Sequence, residues 1–98
     1  MVIVIFRSRL NLDLQAEYLD WAKRMSELAQ IIPGHISHKG FVAQDGERVT
    51  IVEFETEEAM QVWAMHPDHV AAKKKGRNSF FSEYNVKICT IQRESVFP

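Results

Sequence analysis

The chain has 98 residues, of which 46% are hydrophobic and 26% charged, and its formal net charge is −1. This length and composition predict one globular domain spanning residues 1–98, and a charge so close to zero argues against nucleic acid or a membrane surface as a partner. Cys89 is the only cysteine, so an intrachain disulfide and a four-cysteine zinc site are excluded. The apolar run at the start is too short for a signal peptide or a membrane span, and the expected location is the cytoplasm.

The first part of the chain predicts a strand, a helix and a second strand. Residues 2–10 are β-branched and begin with apolar side chains on both faces, as in a central strand. The helix that follows repeats its apolar residues every 3.6 positions, with Asp13 as the expected N-cap and Pro33-Gly34 as the stop. Residues 35–43 form the second strand, and the polar side chains inside it place it at a sheet edge.

The middle of the chain predicts a hairpin and a second helix. Asp45-Gly46 is a strong turn signal, and it leads into a third strand over residues 48–55. This strand is apolar at both odd and even positions, so it also belongs in the centre of the sheet. Thr56 is placed to cap the helix that follows.

The second helix is predicted to bend. Pro67 cannot continue an arriving helix, and it forces His66 out of the helical region of backbone space. A short helix then runs to Lys75, with Gly76 in the position of a C′ residue. Residues 80–93 complete the pattern as the last strand.

The order strand, helix, strand, strand, helix, strand predicts an α+β, ferredoxin-like split βαβ fold. In this fold a four-stranded antiparallel sheet has the first and third strands in its centre, and these are the most apolar strands here. Two helices can cover only one face of the sheet, so the other face is left apolar. We therefore predict a homodimer in which two open sheet faces pack together, as a dimeric α/β barrel.

Several residues are candidates for a site. Trp63, His66 and His69 are three positions apart and are predicted to form one wall across the bend, with Tyr84 and Arg7 as polar candidates. His66 is expected to cap the short helix, although either histidine could act as a general base in a range near pH 6 to 7. No third ligand stands at a recognised spacing from them, so no metal site is predicted.

Three further expectations concern other polar residues. His35 and His38 are predicted to fall on opposite faces of the second strand, where they suggest no site. If the first and third strands ran parallel, Arg7 would be a plausible partner for Glu53. Lys73 to Lys75 are interpreted as a solvated helix end.

The chain resembles the antibiotic biosynthesis monooxygenase (ABM) domain family across nearly its whole length. The resemblance lies in the order of elements and in several landmarks: Ile32-Pro33-Gly34, Val52-Glu53-Phe54-Glu55-Thr56 and Trp63…His66-Pro67-Asp68-His69…Gly76-Arg77…Phe81…Tyr84. It implies a dimeric α+β barrel. It also implies either a cofactor-free monooxygenase acting on phenolic or quinol-type aromatics or a haem-degrading relative.

The sequence departs from both catalytic patterns of that family. Cofactor-free members often carry an asparagine four residues before the tryptophan, and this chain has Ala59 there. Haem-degrading members use an asparagine in the first strand and a histidine about ten residues after the tryptophan. Here the strand offers Arg7 and Arg9, and the later position is Lys73.

Three functions follow from these features. The first is a cofactor-independent monooxygenase in which His66 or His69 is the catalytic base and Trp63, Tyr84 and Arg7 bind a small hydrophobic aromatic ligand. The second is a haem-binding or haem-degrading protein. The third is a non-catalytic dimeric module that binds a hydrophobic ligand.

Overall fold

Strands and helices alternate as the sequence predicts. The structure is a computed structural model that describes all residues from 1 to 98. Its regular elements are β1 (Val2–Leu10), α1 (Gln15–Ile31), β2 (His35–Val42), β3 (Arg48–Phe54), α2 (Glu57–Ala64), α3 (Pro67–Lys75) and β4 (Phe81–Thr90). A 3₁₀ turn at Leu12–Leu14 precedes α1, and a π-helical turn at Gly76–Phe80 joins α3 to β4.

The four strands form one antiparallel sheet in the order β2-β3-β1-β4. The predicted α+β, ferredoxin-like fold with β1 and β3 in the centre is confirmed. The expected pairing of Arg7 with Glu53 is wrong, because the antiparallel register sets Arg7 opposite Val49 and Glu53 opposite Ile3.

Three of the predicted helix boundaries are confirmed by their hydrogen bonds or backbone angles. Thr56 Oγ1 accepts a hydrogen bond from the Ala59 amide at 3.1 Å, and His66 Nδ1 accepts one from the Asp68 amide at 3.1 Å. Each side chain satisfies a donor that the first turn of a helix leaves free. Gly34 ends the connection after α1 with a φ of 93°, a conformation that favours glycine.

Two predicted caps are wrong. Asp13 does not cap α1, because the chain first makes the 3₁₀ turn and the helix then starts after Leu14, with no side-chain cap. Gly76 is not a left-handed C′ residue, because its φ of −60° and ψ of −50° continue the helical path. Glycine is needed there for space, since a Cβ at Gly76 would lie 2.6 Å from Cε2 of Phe81.

The core lies between the helices and one face of the central strands. Alternate residues of β1 and β3 point into it, and Val52 and Phe54 are almost fully buried. The segments outside the sheet contribute further buried apolar residues, which are Met25, Leu28, Ala29, Ile32, Ala59, Met60, Trp63 and Phe80. None of the helices combines the length and the apolar character that crossing a bilayer requires.

The helices leave β4 uncovered even on the side of the sheet that they occupy. Val86 and Ile88 are paired with Phe6 and Val4 of β1, so they share the helix-covered face. Their side chains are nevertheless 48% and 54% exposed. The space between the helices and the sheet therefore opens along β4.

Candidate functional site

A cavity of about 300 Å³ lies between the helices and the sheet. This is the low end of the volume range of small-molecule sites. Its lining is mainly apolar, and the polar or titratable residues in it are Tyr18, His38, Thr50, His69, Lys73 and Tyr84. Among the five predicted site residues, the structure brings Trp63, His69 and Tyr84 together at this cavity and leaves His66 and Arg7 outside it.

Trp63 forms a fixed wall of the cavity. Its side chain is only 6% exposed, and Nε1 donates a hydrogen bond to the Met25 carbonyl at 3.3 Å. The indole also packs against the ring of Phe54, with 5.5 Å between centroids. Trp63 is thus a core residue whose ring also forms part of the cavity wall, and its polar atom is satisfied inside the protein.

His69 stands edge-on to this wall. The centroids of the two rings are 4.3 Å apart and their planes meet at 66°. Burial lowers the pKa of His69 to about 4, and the positive charge of Lys73 acts in the same direction. His69 is therefore neutral at physiological pH, and its buried Nδ1 has no hydrogen-bond partner.

His38 also lies near Trp63, with 6.3 Å between ring centroids. The prediction that His35 and His38 fall on opposite faces is wrong, because a bulge between His35 and Ser37 shifts the register of β2. Both histidines consequently lie opposite residues that face the helices. Burial, with a smaller contribution from the charge of His35, lowers the pKa of His38.

The opposite wall is a cluster of aromatic rings. Phe81 contacts Phe6, Tyr18 and Tyr84 at centroid distances of 5.3, 5.5 and 5.7 Å. Burial raises the pKa of Tyr18, so its phenol stays protonated and can donate a hydrogen bond. Tyr84 lies at the rim, and its hydroxyl oxygen accepts a hydrogen bond from Nε of Arg77 at 3.4 Å.

The two predicted site residues outside the cavity have other contacts. His66 caps α3 through its Nδ1, which is the role that the sequence favoured for it. Arg7 points to the open face of the sheet, where it makes two hydrogen bonds to the Glu47 carboxylate at 2.9 and 3.1 Å. The antiparallel register explains this position, because Arg7 follows the parity of Ile3 and Ile5.

The sequence missed Tyr18, His38 and Lys73 as residues of the cavity. Tyr18 belongs to the apolar repeat of α1, so the sequence indicates only a core position for it. The contact between its ring and Phe81 in the structure shows that it lines the cavity. Lys73 follows His69 by one helical turn, a spacing that places two side chains on the same helix face. That spacing could have indicated Lys73 as a residue of the site. It was not used because three consecutive lysines at the end of a helix are typical of a solvated surface.

No three His, Cys, Asp or Glu side chains are grouped so that they could hold a metal ion. Ala59, which stands where related cofactor-free enzymes carry an asparagine, is buried in the core and does not line the cavity. The polar groups that the cavity does offer are therefore two imidazoles, two phenols, the Thr50 hydroxyl and one ammonium group.

Residues 1–75 match the sequence model of the family described as antibiotic biosynthesis monooxygenase, and the chain belongs to this family. A relative in Bacillus subtilis (strain 168), the uncharacterized protein YqjZ, is 31% identical over 80 residues. The match covers 82% of this chain and 70% of the relative.

Solved structures share the fold at low sequence identity. Rv0793 from Mycobacterium tuberculosis superposes with a TM-score of 0.85 at 17% identity, covering 97% of this chain and 98% of that one. A mutant of SnoaB, a cofactor-independent oxygenase from Streptomyces nogalater, gives a TM-score of 0.80 at 16% identity, covering 95% and 94%. At these identities the likeness establishes the fold alone.

Proposed function

We propose that the protein is a cofactor-independent monooxygenase that oxidises a phenolic or quinol-like aromatic in the cavity beside Trp63. The observation that carries this proposal is the neutral His69 imidazole, which is held against an aromatic wall in a mainly apolar cavity. A base that is already deprotonated, a flat apolar surface and exclusion of water are what such a reaction asks of a protein. Membership of the monooxygenase family is consistent with it.

The chemistry needs no external reductant. His69 takes the acidic proton of the substrate, from the hydroxyl of a phenol or quinol or from the CH₂ carbon of an anthrone, and the resulting anion gives one electron to O₂. The radical pair combines into a C–O bond at a ring carbon that still carries one hydrogen, and the peroxide takes the proton back from His69. Loss of water removes that hydrogen, breaks the O–O bond and leaves a carbonyl, so one oxygen atom enters the product and the other leaves as water.

The negative charge that develops on the substrate oxygen must be stabilised by a hydrogen-bond donor. The neutral phenol of Tyr18 lies in the cavity wall, and Thr50 and His38 are further candidates. One of these groups would take the place of the asparagine that is absent at Ala59. Donors aimed at a developing oxyanion contribute large factors to the rate.

The position of His69 also changes the pH range expected for such a base. The sequence alone predicted that activity would rise between about pH 6 and 7, the range of an ordinary histidine. With the pKa of His69 lowered to about 4, its basic form is present throughout the neutral range. We therefore expect no loss of activity from protonation of His69 until the pH falls toward that value.

The test is oxygen consumption with a panel of quinols and anthrones. His69→Ala should lower turnover by about 10² or more, the usual contribution of a general base. His66→Asn is the matched control, because it replaces a histidine that lies outside the cavity while keeping a side chain that can cap α3, and it should retain turnover. Full turnover in the His69 variant would show that His69 is not the catalytic base. Absence of oxygen uptake with every compound would favour a non-catalytic binding module, and Soret absorption on haem addition would favour the haem-binding alternative.

We further propose that the working form is a homodimer joined through the open sheet face. Ile3 and Ile5 of β1 and Ile51 of β3 lie on this face and are only partly buried in the single chain. A stable interface is expected to bury about 1,200 to 2,000 Å². The cavity lies on the other side of the sheet, so each copy would keep its own site.

A further inference from the structure

One basic aliphatic side chain lines the cavity. Lys73 is the only lysine or arginine among the lining residues, and no aspartate or glutamate is among them. Lys73 makes no ion pair, whereas Lys75 in the same helix lies 3.1 Å from the carboxylate of Glu17. The ammonium group of Lys73 is therefore available to a ligand.

We propose that Lys73 selects ligands with a single acidic group, so that the cavity takes an apolar aromatic body carrying a carboxylate, a sulfonate or an ionised phenol. This proposal extends the proposed function and depends on it only because both use the same cavity. The apolar rings of Trp63 and Phe81 would hold the body of the ligand. Its acidic group would lie toward α3, where Lys73 and His69 are one turn apart.

The simpler interpretation is that Lys73 is one of three solvated lysines at a helix end. Two observations argue against it. Lys73 and Lys74 are both exposed, but only Lys73 lines the cavity. Lys73 is also close enough to His69 for its charge to contribute to the lowered pKa of that histidine.

An ionised ligand would also complement the neutral histidine. With its lowered pKa, His69 carries no charge at neutral pH, so an anion in the cavity gains no charge pairing from it. A cation one turn away stabilises the same anion directly. Lys73 would thus favour the ionised form of a phenol as well as a ligand that is already acidic.

Two fluorescent probes with the same ring skeleton test this selectivity. 8-Anilino-1-naphthalenesulfonate carries a sulfonate, and N-phenyl-1-naphthylamine lacks it. We would titrate both into the wild-type protein, Lys73→Gln and the matched control Lys74→Gln. Glutamine keeps a strong helix former at each position, so both variants should fold. The indole resonance of Trp63 would locate the bound probe, since its Nε1 hydrogen bond lies in the cavity wall.

We expect Lys73→Gln to weaken binding of the sulfonate by about fivefold, while binding of the neutral probe changes by less than about twofold. Lys74→Gln should leave both affinities unchanged, and added salt should reduce the difference between wild type and Lys73→Gln. Equal weakening by both lysine variants would overturn the assignment of Lys73. If both probes shift the Trp63 resonance but Lys73→Gln has no effect, charge selection is refuted and the cavity remains a binding site. If neither probe shifts that resonance, the cavity does not bind such ligands and the assignment of Lys73 is overturned, whereas the oxygen-consumption assay still tests the proposed function separately.

Discussion

Acid should destabilise the protein through His69, and replacing this residue should remove the effect. In the folded state the pKa of His69 is lowered from 6.5 to about 4, mainly by burial. The unfolded chain therefore binds more protons than the folded chain between these two values, and stability must fall as the pH falls through this window. Above about pH 6.5 both states are neutral at this position and its contribution is constant.

The size of the effect follows from the shift. A difference of one pKa unit corresponds to about 1.4 kcal/mol, which gives a limit near 3 kcal/mol for His69. Because the side chain is partly exposed, solvent screening reduces the expected loss to about 2 kcal/mol at about pH 4.5. His69→Phe keeps an aromatic ring against Trp63 but cannot be protonated.

The assay is denaturant unfolding of both proteins across this pH range. At about pH 7.5 we expect His69→Phe to match or slightly exceed the wild type, since it removes a buried nitrogen without a partner. At about pH 4.5 it should be more stable than the wild type by about 2 kcal/mol. His38 is present in both proteins, so its own titration cancels in the difference. Parallel stability curves for the two proteins would refute the burial argument for His69.

Three further predictions concern the backbone and the open sheet face. Gly76→Ala should destabilise the protein by about 1 to 3 kcal/mol in denaturant unfolding, because the added Cβ collides with Phe81; a more stable variant would show that the ring moves freely. Pro67→Ala should cost only about 1 kcal/mol in stability but weaken probe binding more, because it loosens the helix that carries His69; unchanged binding would make the bend purely structural. Ile5→Asp should convert the dimer to a monomer or unfold it, and light scattering that finds a monomeric wild-type protein at micromolar concentration would remove the dimer from the proposal.

The fold was predictable because its signals are local. β-branched runs, the Asp45-Gly46 turn and the His66-Pro67 corner each act over a few residues, and together they leave few topologies. The wrong predictions concern positions whose conformation is determined by contacts between residues that are distant along the chain or on different elements. Gly76 was given a backbone role, although the ring of Phe81 five residues later is the reason for a glycine there.

The candidate site was only partly predictable for the same reason. The three-residue spacing predicted one wall of Trp63, His66 and His69. Trp63 and His69 do line the cavity, whereas His66 lies outside it and caps α3. A single bulge in β2 was enough to reverse the expectation for His38, since one extra residue moves every later side chain to the other face. Local sequence does not fix such a bulge, because its position depends on how β2 pairs with β3.

The packing around Ala59 explains why an asparagine would not fit at this position, and the cavity offers polar groups elsewhere. A Cβ added at Gly34 would lie 2.9 Å from the Ala59 side chain, so this part of α2 packs closely against the turn before β2. An asparagine at position 59 would have to displace that turn or bury its amide in the core, and an unpaired buried amide is costly. The polar groups of the cavity lie instead on α1, β2, β3, α3 and β4, in Tyr18, His38, Thr50, His69, Lys73 and Tyr84. If this protein handles an oxyanion, its donor must therefore come from the sheet or from the flanking helices α1 and α3, and single substitutions of Tyr18 and His38 are the most direct way to identify it.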